Sequence, residues 1–587
     1  MNSLLESDFP VAKDAYVSFD GLTIKEKIRQ RLNQTNLFTD QNFEGSNLAA
    51  FNDAVAMVFS LFLYNLNKNI SEKQFSEAQI YENVNRIVKD IDYKPIGYQS
   101  ANVSYTLSVS NLNAGIYTIP RYTNLSIGGI KYSFAEDVSF AKAVDNTTET
   151  FNTNNILYQG QYFEFPQFTS TGLENELIYL TASDTDLIDH FHIDVYVKSG
   201  SGKWEKYKQT QSLFLNNANQ KVYELRFNEN KRYEIKFGNG INGKKLNAGD
   251  LVSIFYLKGD GTSGEIGANT LSSGRLSTIN TNNLSQILAD QGNTYLSNSQ
   301  FANRIRLDNS CGSSFFSQPE SVAEIKQNAP GLFRSQYRLV TTNDYETFIR
   351  TNFANIIQDV KVLNNSDYID SYIQYFYNLG LTKPQLESRA LFNQVQMADA
   401  CNFNNVYVVA VPKTIGNKLS YVYPAQKSLI SETIKEEKVL TSETVIIDPV
   451  YIALDIALSD SNISQLNDIP FSQILIKKNT TSRRSDDSLK QEIAALIQTT
   501  FSRKTGKLGA VLDINQLTAD ILGIEDVNSI FTKRSDSSLI VDGLRFIMFN
   551  PIYGDVSAQT ITGNKQLELF QFAYLFDENI INRIVVE

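Results

Sequence analysis

The spacing of hydrophobic residues changes near residue 100 of this 587-residue chain, and this change constrains the fold most. Before it, apolar residues recur at steps of three and four, which places them on one face of a helix. They are Leu48, Phe51, Val55, Val58, Phe62 and Leu66. After it, Val103, Tyr105, Leu107 and Val109 alternate with polar residues, as they do in a half-buried strand. The chain is therefore predicted to begin with helices and to continue with a β-rich region.

The helical part is predicted to be a hairpin spanning residues 46–91. Ser71 followed by Gln74 has the spacing of a capping box at the start of the second helix. Ile70 and Phe75 occupy the positions of a hydrophobic staple around that cap.

The rest of the chain predicts a multidomain α+β protein with an antiparallel β-rich middle, an inserted subdomain and C-terminal α+β domains. Short strand-like segments separated by Gly, Asn and Asp are typical of a sandwich or barrel. A polar stretch at 145–155 indicates where the insertion begins. The predicted parts are a helical region (1–95), a β-rich domain (96–285) with its insertion (about 146–236), a linker or arm (286–318), an α+β domain (319–440) and a C-terminal α+β assembly domain (441–587).

Composition argues against several partners. The net charge of -11 disfavours duplex nucleic acid, which needs a concentrated basic surface. The two cysteines favour a reducing compartment over a disulfide framework. We expect no membrane partner, because the apolar run 54–64 is shorter than the ~20 residues of a spanning helix. The N-terminus also lacks the basic and apolar segments of a signal peptide.

Two glycine patterns have the spacing of a dinucleotide-binding loop, Gly238–Gly243 and Gly259–Gly264. Such a loop must lie between a strand and the N-terminus of a helix that receives the pyrophosphate. Neither pattern is followed by a helical sequence. Asn-Gly and Asp-Gly between strands are typical of hairpin turns, which is the predicted role here. No cofactor is expected.

One acidic and histidine-rich segment is the weak candidate for a metal site. It contains Asp184, Asp186, Asp189, His190, His192 and Asp194. On a strand, His190, His192 and Asp194 would share one face, and imidazole with carboxylate suits zinc. The favoured interpretation is a solvated face of an edge strand, whose charges discourage edge pairing. With only these two histidines, no catalytic triad is persuasive, and we expect no enzyme activity.

A basic segment with interleaved aromatic residues follows, and it leaves two interpretations open. Its basic residues are Arg226, Lys231, Arg232, Lys236, Lys244 and Lys245. They could form a surface for single-stranded nucleic acid. The favoured alternative is the polar face of a hairpin or the rim of a site for an acidic protein.

Three segments in this order resemble the baseplate J-like family, and especially its larger, T-even-like branch. They are Phe43–Asn47 with the helix pair, the glycine-rich run 237–252 with its continuation to Thr270, and 329–346 with its Pro-Gly turn and Thr-x-x-Asp-Tyr helix start. The resemblance implies a non-enzymatic wedge subunit of a contractile phage tail baseplate. Such subunits join wedges into a ring around the hub and transmit the change on contraction.

The resemblance also implies partners and a location. The partners would be a second copy, other baseplate wedge proteins and a sheath-initiator-like subunit, without nucleic acid or membrane. The location would be the virion tail baseplate, after assembly in the host cytoplasm. A baseplate subunit of another contractile injection system, or a tail-associated adhesin or glycan-degrading protein, is the alternative.

Two sets of apolar residues are predicted to carry assembly contacts. The first lies on the N-terminal helix and comprises Phe51, Val55, Val58, Phe62 and Leu66. The second lies in the C-terminal tail and comprises Phe570, Phe572, Tyr574, Phe576, Ile580 and Ile584. If the tail is buried against a neighbour, deletion of residues 570–587 should leave a folded monomer that fails to pair.

Overall fold

The computed structural model describes residues 21–35, 47–151, 155–180, 186–301, 304–365, 367–368, 405–414, 420–458, 472–479, 481–504, 506–534, 539–550, 559–561, 563–577 and 579–587. Two compact units are present. One is Met1–Asp92 with Ser321–Lys326, and the other is Tyr93–Glu320 with Gln327–Glu587. Asp184, most of the segment Phe43–Asn47 and residues 369–404 lie outside the described residues.

The helices confirm that the chain begins with a helical region. In chain order they are α1 (Gly21–Thr35), α2 (Asn47–Ser71), α3 (Tyr81–Lys89), α4 (Asn282–Gln291), α5 (Asn298–Phe301), α6 (Val322–Ser335), α7 (Thr342–Asn352), α8 (Pro424–Glu437), α9 (Asp486–Phe501) and α10 (Ile514–Leu522).

The turn between α2 and α3 differs from the predicted capping box. Helix α2 continues through Ser71, so Ser71 cannot act as an N-cap. The Glu72 carboxylate instead accepts hydrogen bonds from the backbone N–H groups of Gln79 and Ile80 and from the side chain of Asn83. The Asn83 bond and these N–H groups lower the pKa of Glu72. A carboxylate nine residues before the first residue of α3 thus satisfies N–H groups that precede this helix.

Many short strands confirm the predicted β-rich middle. In chain order they are β1 (Asn102–Ser104), β2 (Thr106–Val109), β3 (Gly115–Ile119), β4 (Asn124–Ile127), β5 (Ile130–Ser133), β6 (Val138–Lys142), β7 (Glu149–Phe151), β8 (Ile156–Gln159), β9 (Gln161–Thr169), β10 (Leu177–Leu180), β11 (Leu187–Lys198), β12 (Trp204–Thr210), β13 (Val222–Phe227), β14 (Tyr233–Phe237), β15 (Leu251–Gly259), β16 (Arg275–Ser277) and β17 (Ile305–Asp308).

The C-terminal strands continue this numbering. They are β18 (Ile357–Asn364), β19 (Asn405–Pro412), β20 (Glu443–Ile447), β21 (Val450–Ile456), β22 (Ser472–Lys478), β23 (Val511–Leu512), β24 (Val527–Arg534), β25 (Ile540–Asp542), β26 (Phe546–Phe549), β27 (Gln559–Ile561), β28 (Lys565–Gln566), β29 (Gln571–Leu575) and β30 (Ile584–Val586).

The largest sheet of the middle region has seven strands in the order β10-β14-β13-β12-β11-β15-β9. The chain enters it at β9 and leaves it at β15, and these two strands pair antiparallel. Smaller sheets surround this segment in sequence, with the orders β1-β8-β5-β4-β16, β17-β2-β7 and β3-β6. The alternating residues that open this region divide between two of these sheets, because β1 pairs with β8 whereas β2 pairs with β7 and β17.

The range 286–318, predicted to be a linker or arm, contains regular structure. Strand β17 pairs with β2, and its Leu307 is buried in the same core as Leu107. Helix α6 is capped by Ser321 and Glu324, each of which accepts through its side chain from the backbone N–H of the other. A low hydrophobic content therefore did not prevent this segment from completing a sheet.

The C-terminal region confirms the predicted α+β class and adds parallel strand pairs. Strand β21 pairs in parallel with β29, and β22 pairs in parallel with β30. Helix α9 contributes Leu489, Ile493 and Ile497 to the core beneath these sheets. Helix α10 is capped by Asp513, whose carboxylate accepts from the N–H of Gln516. The chain's last strands, β29 and β30, thus pair with β21 and β22, which lie more than 100 residues earlier in the sequence.

Candidate assembly interface

Helix α2 exposes the apolar face that the sequence predicts to be an assembly surface. Phe51, Val58 and Phe62 are 66%, 68% and 62% exposed, and Leu66 is also exposed. Val55 is half-buried. Four of the five predicted residues therefore lie open to solvent in the isolated chain. Contiguous exposed apolar surface of this kind marks a site of protein or membrane contact.

The opposite side of α2 explains why so much of the helix stays exposed. Its buried side chains are the small residues Ala49, Asn52 and Ala56. Helix α1 packs against α2, and Lys25 forms an ion pair with Asp53 at 2.7 Å. Small residues let two helices approach closely. The large side chains consequently remain on the other faces of the helix.

Sequence analysis missed further exposed residues of the same helix. Met57, Phe59, Leu61 and Tyr64 are all more than half exposed. The available signal was the apolar run 54–64, which is interrupted only by Ser60 and leaves the middle of the helix without a polar face. The exposed surface, here called the α2 face, comprises Phe51, Met57, Val58, Phe59, Leu61, Phe62, Tyr64 and Leu66.

Helix α2 is also long and apolar enough to cross a membrane by length and composition. It has 25 residues, and its most apolar window has a mean hydropathy of 1.4 and is 11% buried. The expectation of no membrane partner rested on the shorter apolar run 54–64. That criterion underestimated the helix because Asn and Ser residues interrupt the run without ending the helix.

The tail residues predicted to contact a neighbour lie in this chain's own core. Phe570, Phe572, Tyr574, Ile580 and Ile584 are all buried. Strand β29 forms the edge of the sheet β27-β26-β21-β29, and β30 forms the edge of β25-β24-β22-β30. Among the described tail residues predicted as contacts, Phe576 alone is exposed, at 39%. The deletion of 570–587 is therefore expected to unfold the C-terminal region instead of leaving a folded monomer.

The histidine segment lies inside the large sheet, which corrects the prediction of a solvated edge strand. Strand β11 pairs with β12 on one side and β15 on the other, and its pairing with β15 shifts between Ile188 and Ile193. This irregularity covers both histidines. Asp189 and His190 are buried, and His192 is half-buried.

The three candidate ligands have separate partners. His190 accepts a hydrogen bond at Nδ1 from the N–H of Gly97, at 3.1 Å. His192 pairs through Nδ1 with Asp189 at 2.6 Å. Asp194 accepts from the Tyr122 hydroxyl and pairs with Lys206. Among the described residues, no group of three or more His, Cys, Asp or Glu is arranged to hold a metal ion.

Burial controls the charge states in this cluster. It lowers the pKa of His190 to about 4, so this imidazole is neutral near pH 7. Burial also disfavours the charged form of Asp189. The charge and hydrogen bond of His192, with N–H bonds from Ser100 and Phe191, outweigh that penalty and hold the pKa of Asp189 below its usual range. The cluster therefore joins residues 97–100 to the large sheet through satisfied polar contacts.

The glycine run 238–243 is not the predicted hairpin turn. It connects β14 to β15, which are not neighbours in the sheet. The second run, Gly259–Gly264, leads into a short 3₁₀ turn and not into a helix. Neither loop has the strand–helix context that pyrophosphate binding requires.

Comparison with known proteins finds a distant relative among baseplate proteins. No protein-family model matches this chain. The chain is 23% identical over 379 residues to the baseplate wedge protein gp6 of Enterobacteria phage T4, which covers 58% of this chain and 51% of that protein. The chain thus spans about half the length of the curated relative it matches. This match supports a baseplate-related family.

Two solved structures are also similar over long stretches. One is the baseplate of the anti-feeding prophage, with a TM-score of 0.32 and 12% identity over 95% of this chain and 98% of that chain. The other is the TssK-TssF-TssG baseplate subcomplex of the type VI secretion system, with a TM-score of 0.27 and 8% identity over 68% of this chain and 96% of that chain. These TM-scores are too low to support a conclusion about this chain.

Proposed function

We propose that this protein is a structural subunit of the baseplate wedge of a contractile phage tail, and that the α2 face is one of its assembly surfaces. The observation that carries the proposal is the sequence match to a baseplate wedge protein. The α2 face supports it independently, since a non-enzymatic assembly role needs an exposed surface of this kind. The protein would be assembled in the host cytoplasm and reside in the tail baseplate.

The exposed side chains of α2 favour a helical partner. They extend from Phe51 to Leu66, which is four turns of helix. An apolar helix face of this length packs into a groove or beside further helices, where each buried large side chain contributes about 1.5–3 kcal/mol. We propose that a second copy of the chain and other wedge proteins, including a sheath-initiator-like subunit, supply these helices.

The proposed role includes joining neighbouring wedges into a ring and transmitting the change on contraction. The division of the chain into two compact units is compatible with such a role, because units that pack internally can move as bodies when interfaces repack. Phe576 is the tail residue that stays available for a neighbouring subunit.

Location is the direct test of the proposed role. Antibody to this chain would be applied to intact particles from the source and followed by immunogold electron microscopy. We expect label at the head-distal plate of a contractile tail. Label on the capsid or fibres, or on no particle, would refute the baseplate role.

A second test addresses the α2 face. The triple substitution Phe51→Ser, Val58→Ser and Phe62→Ser removes large apolar groups that are each more than 60% exposed. We expect the variant to keep its far-ultraviolet circular dichroism and to lose association with a second copy or wedge partners in analytical ultracentrifugation.

The matched control replaces three exposed apolar residues elsewhere, by Ile116→Ser, Val511→Ser and Ile540→Ser. Their exposed fractions are 72%, 55% and 50%. The control should associate like the unmodified chain. Equal association by the triple variant would refute the assigned surface. Flotation of the unmodified chain with liposomes, abolished by the triple variant, would instead assign α2 to a membrane.

A further inference from the structure

A second exposed apolar surface lies at one end of the seven-stranded sheet. Leu173 lies in the loop between β9 and β10, Phe214 and Leu215 in the connection between β12 and β13, and Ile241 in the loop between β14 and β15. Their exposed fractions are 66%, 79%, 79% and 73%. These four side chains are called the apolar tip below.

Direct contacts bring the three loops together. The N–H of Gly249 donates to the carbonyl of Ser170 at 2.9 Å, which joins the first loop to the third. The N–H of Lys244 donates to the carbonyl of Gln220 at 2.8 Å, which joins the third loop to the second. Gly243 also lies against the side chain of Leu213. The loop that carries Ile241 is therefore the centre of the group.

The first two loops are held by side chains that cap their backbones. The Glu176 carboxylate accepts from the N–H of Thr171 at 2.7 Å and from its hydroxyl at 2.8 Å. The Asn216 amide donates to the Thr210 hydroxyl at 2.8 Å and to the carbonyl of Ser212 at 2.9 Å. These bonds fix the backbones that present Leu173 and the Phe214–Leu215 pair.

The central loop depends on the glycines that the sequence analysis singled out. Asn239 accepts from the N–H groups of Ile241 and Asn242 at 2.9 and 2.7 Å. A Cβ at Gly238 would lie 2.3 Å from the carbonyl carbon of Gly243, so only glycine fits there. Gly243 has a φ of +77°, which glycine adopts without strain. The motif thus forms a rigid turn with Ile241 at its apex.

The side chains of the apolar tip are exposed and do not belong to the buried core of the sheet. Leu213, in the same turn as Phe214 and Leu215, is buried and fills the space beside Val222 and Gly243. Its two neighbours point to solvent. A preformed loop loses little conformational entropy when it binds, so displayed apolar groups on such loops favour recognition.

Charge around the tip indicates the kind of partner. Lys221, Lys244 and Lys245 lie in the same loops. Lys245 reaches Glu174 only at 3.9 Å, and Lys221 pairs with Glu205 at 2.8 Å. Lys244 has no carboxylate partner among the residues that the structure describes. The three loops thus carry three lysines against one exposed carboxylate, Glu174, and this local positive excess is complementary to an acidic surface.

We propose that the apolar tip is a docking surface for a protein segment that presents large apolar side chains flanked by acidic residues. The four apolar side chains would form the desolvated centre of the contact, and the lysines would form its polar rim. This surface is separate in sequence from the α2 face and does not depend on the proposed baseplate role.

The test uses peptides, because the proposed chemistry describes a class of binding segments and not one particular protein. A phage-displayed library of random peptides is first depleted on the immobilised variant Phe214→Ser/Leu215→Ser/Ile241→Ser and then selected on the full chain. We expect peptides that combine Asp or Glu with Leu, Phe or Trp. A synthetic copy of a selected peptide should bind the tip variant at least about tenfold more weakly than the unmodified chain.

Matched variants separate the contribution of the lysines to binding from that of the apolar side chains. Lys244→Glu/Lys245→Glu should weaken binding and reduce its dependence on salt, because charged rims act through screened attraction. Leu440→Ser and Lys504→Glu are controls for the loss of an exposed apolar group and of an exposed lysine elsewhere, and they should bind normally. Trp204 fluorescence, which reports the large sheet, should be unchanged in all variants.

Three results would overturn the proposal. The depleted library could yield no binders, or yield peptides without acidic residues. The selected peptide could bind the tip variant as tightly as the unmodified chain. Finally, ultracentrifugation could show that the tip variant loses self-association, which would assign the surface to a second copy of the chain.

Discussion

Phe572 distinguishes most sharply between an interface and a core role for the C-terminal tail. Its side chain is fully buried, and its ring packs edge-to-face on Tyr451 with centroids 6.0 Å apart. The two residues are also register partners in the parallel pair β21–β29. Phe572→Ala removes a buried ring from a packed site and is expected to cost about 3–5 kcal/mol of stability in this region.

Hydrogen exchange followed by mass spectrometry measures this cost locally. Since about 1.4 kcal/mol changes an equilibrium tenfold, amides of β21 and β29 that exchange through unfolding of this region should exchange about 100-fold faster or more. Trp204 lies in the large sheet, so its fluorescence midpoint in urea should stay the same. Phe576→Ala is the control, because that ring is 39% exposed.

The opposite result would refute the reasoning. If Phe572→Ala left exchange in β21 and β29 unchanged but abolished association with a partner, the side chain would act at an interface. The burial of the tail within this chain would then not explain its apolar sequence.

Three further predictions follow from single residues. His190→Asn keeps an acceptor for the N–H of Gly97 but removes the imidazole. The free energy of unfolding of the unmodified chain should fall by about 3 kcal/mol between pH 6.5 and pH 4, because the imidazole gains its proton in the unfolded state at a higher pH than in the folded state. Urea titrations should show a smaller fall for the variant. Arg503 is 1% exposed, and its Nε and Nη1 have no hydrogen-bond partner among the residues that the structure describes, so Arg503→Met should raise the thermal midpoint, whereas a fall would indicate that the guanidinium stabilises the fold. Gly238→Ala should lower the urea midpoint of Trp204 fluorescence by an amount corresponding to about 1–3 kcal/mol, while Gly267→Ala, where a Cβ meets only Thr270 at 3.9 Å, should not change it.

Local sequence predicted the elements whose signals are local. The helical spacing from Leu48 to Leu66 predicted α2. The alternation from Val103 to Val109 predicted the strand structure found in β1 and β2. These features depend on backbone geometry and on hydrogen bonds within a few residues, so the sequence around them is sufficient.

Sheet partners could not be predicted in this way. Strand β11 has the charged residues of an edge strand but lies between β12 and β15, where Asp189 is satisfied by His192 and by the N–H group of the distant Ser100. Strand β29 pairs with a strand more than 110 residues earlier. Alternation fixes which side chains share a face, but it carries no information about which strand lies alongside.

Local sequence was sufficient to predict that α2 is a helix with an apolar stripe. The exposure of its side chains and the burial of most of those in the tail depend on tertiary packing. This is because the hydrophobic effect favours the removal of apolar surface from water equally within a chain and between chains. Phe62 and Phe572 have the same chemistry, and only the packing around each one distinguishes an interface from a core.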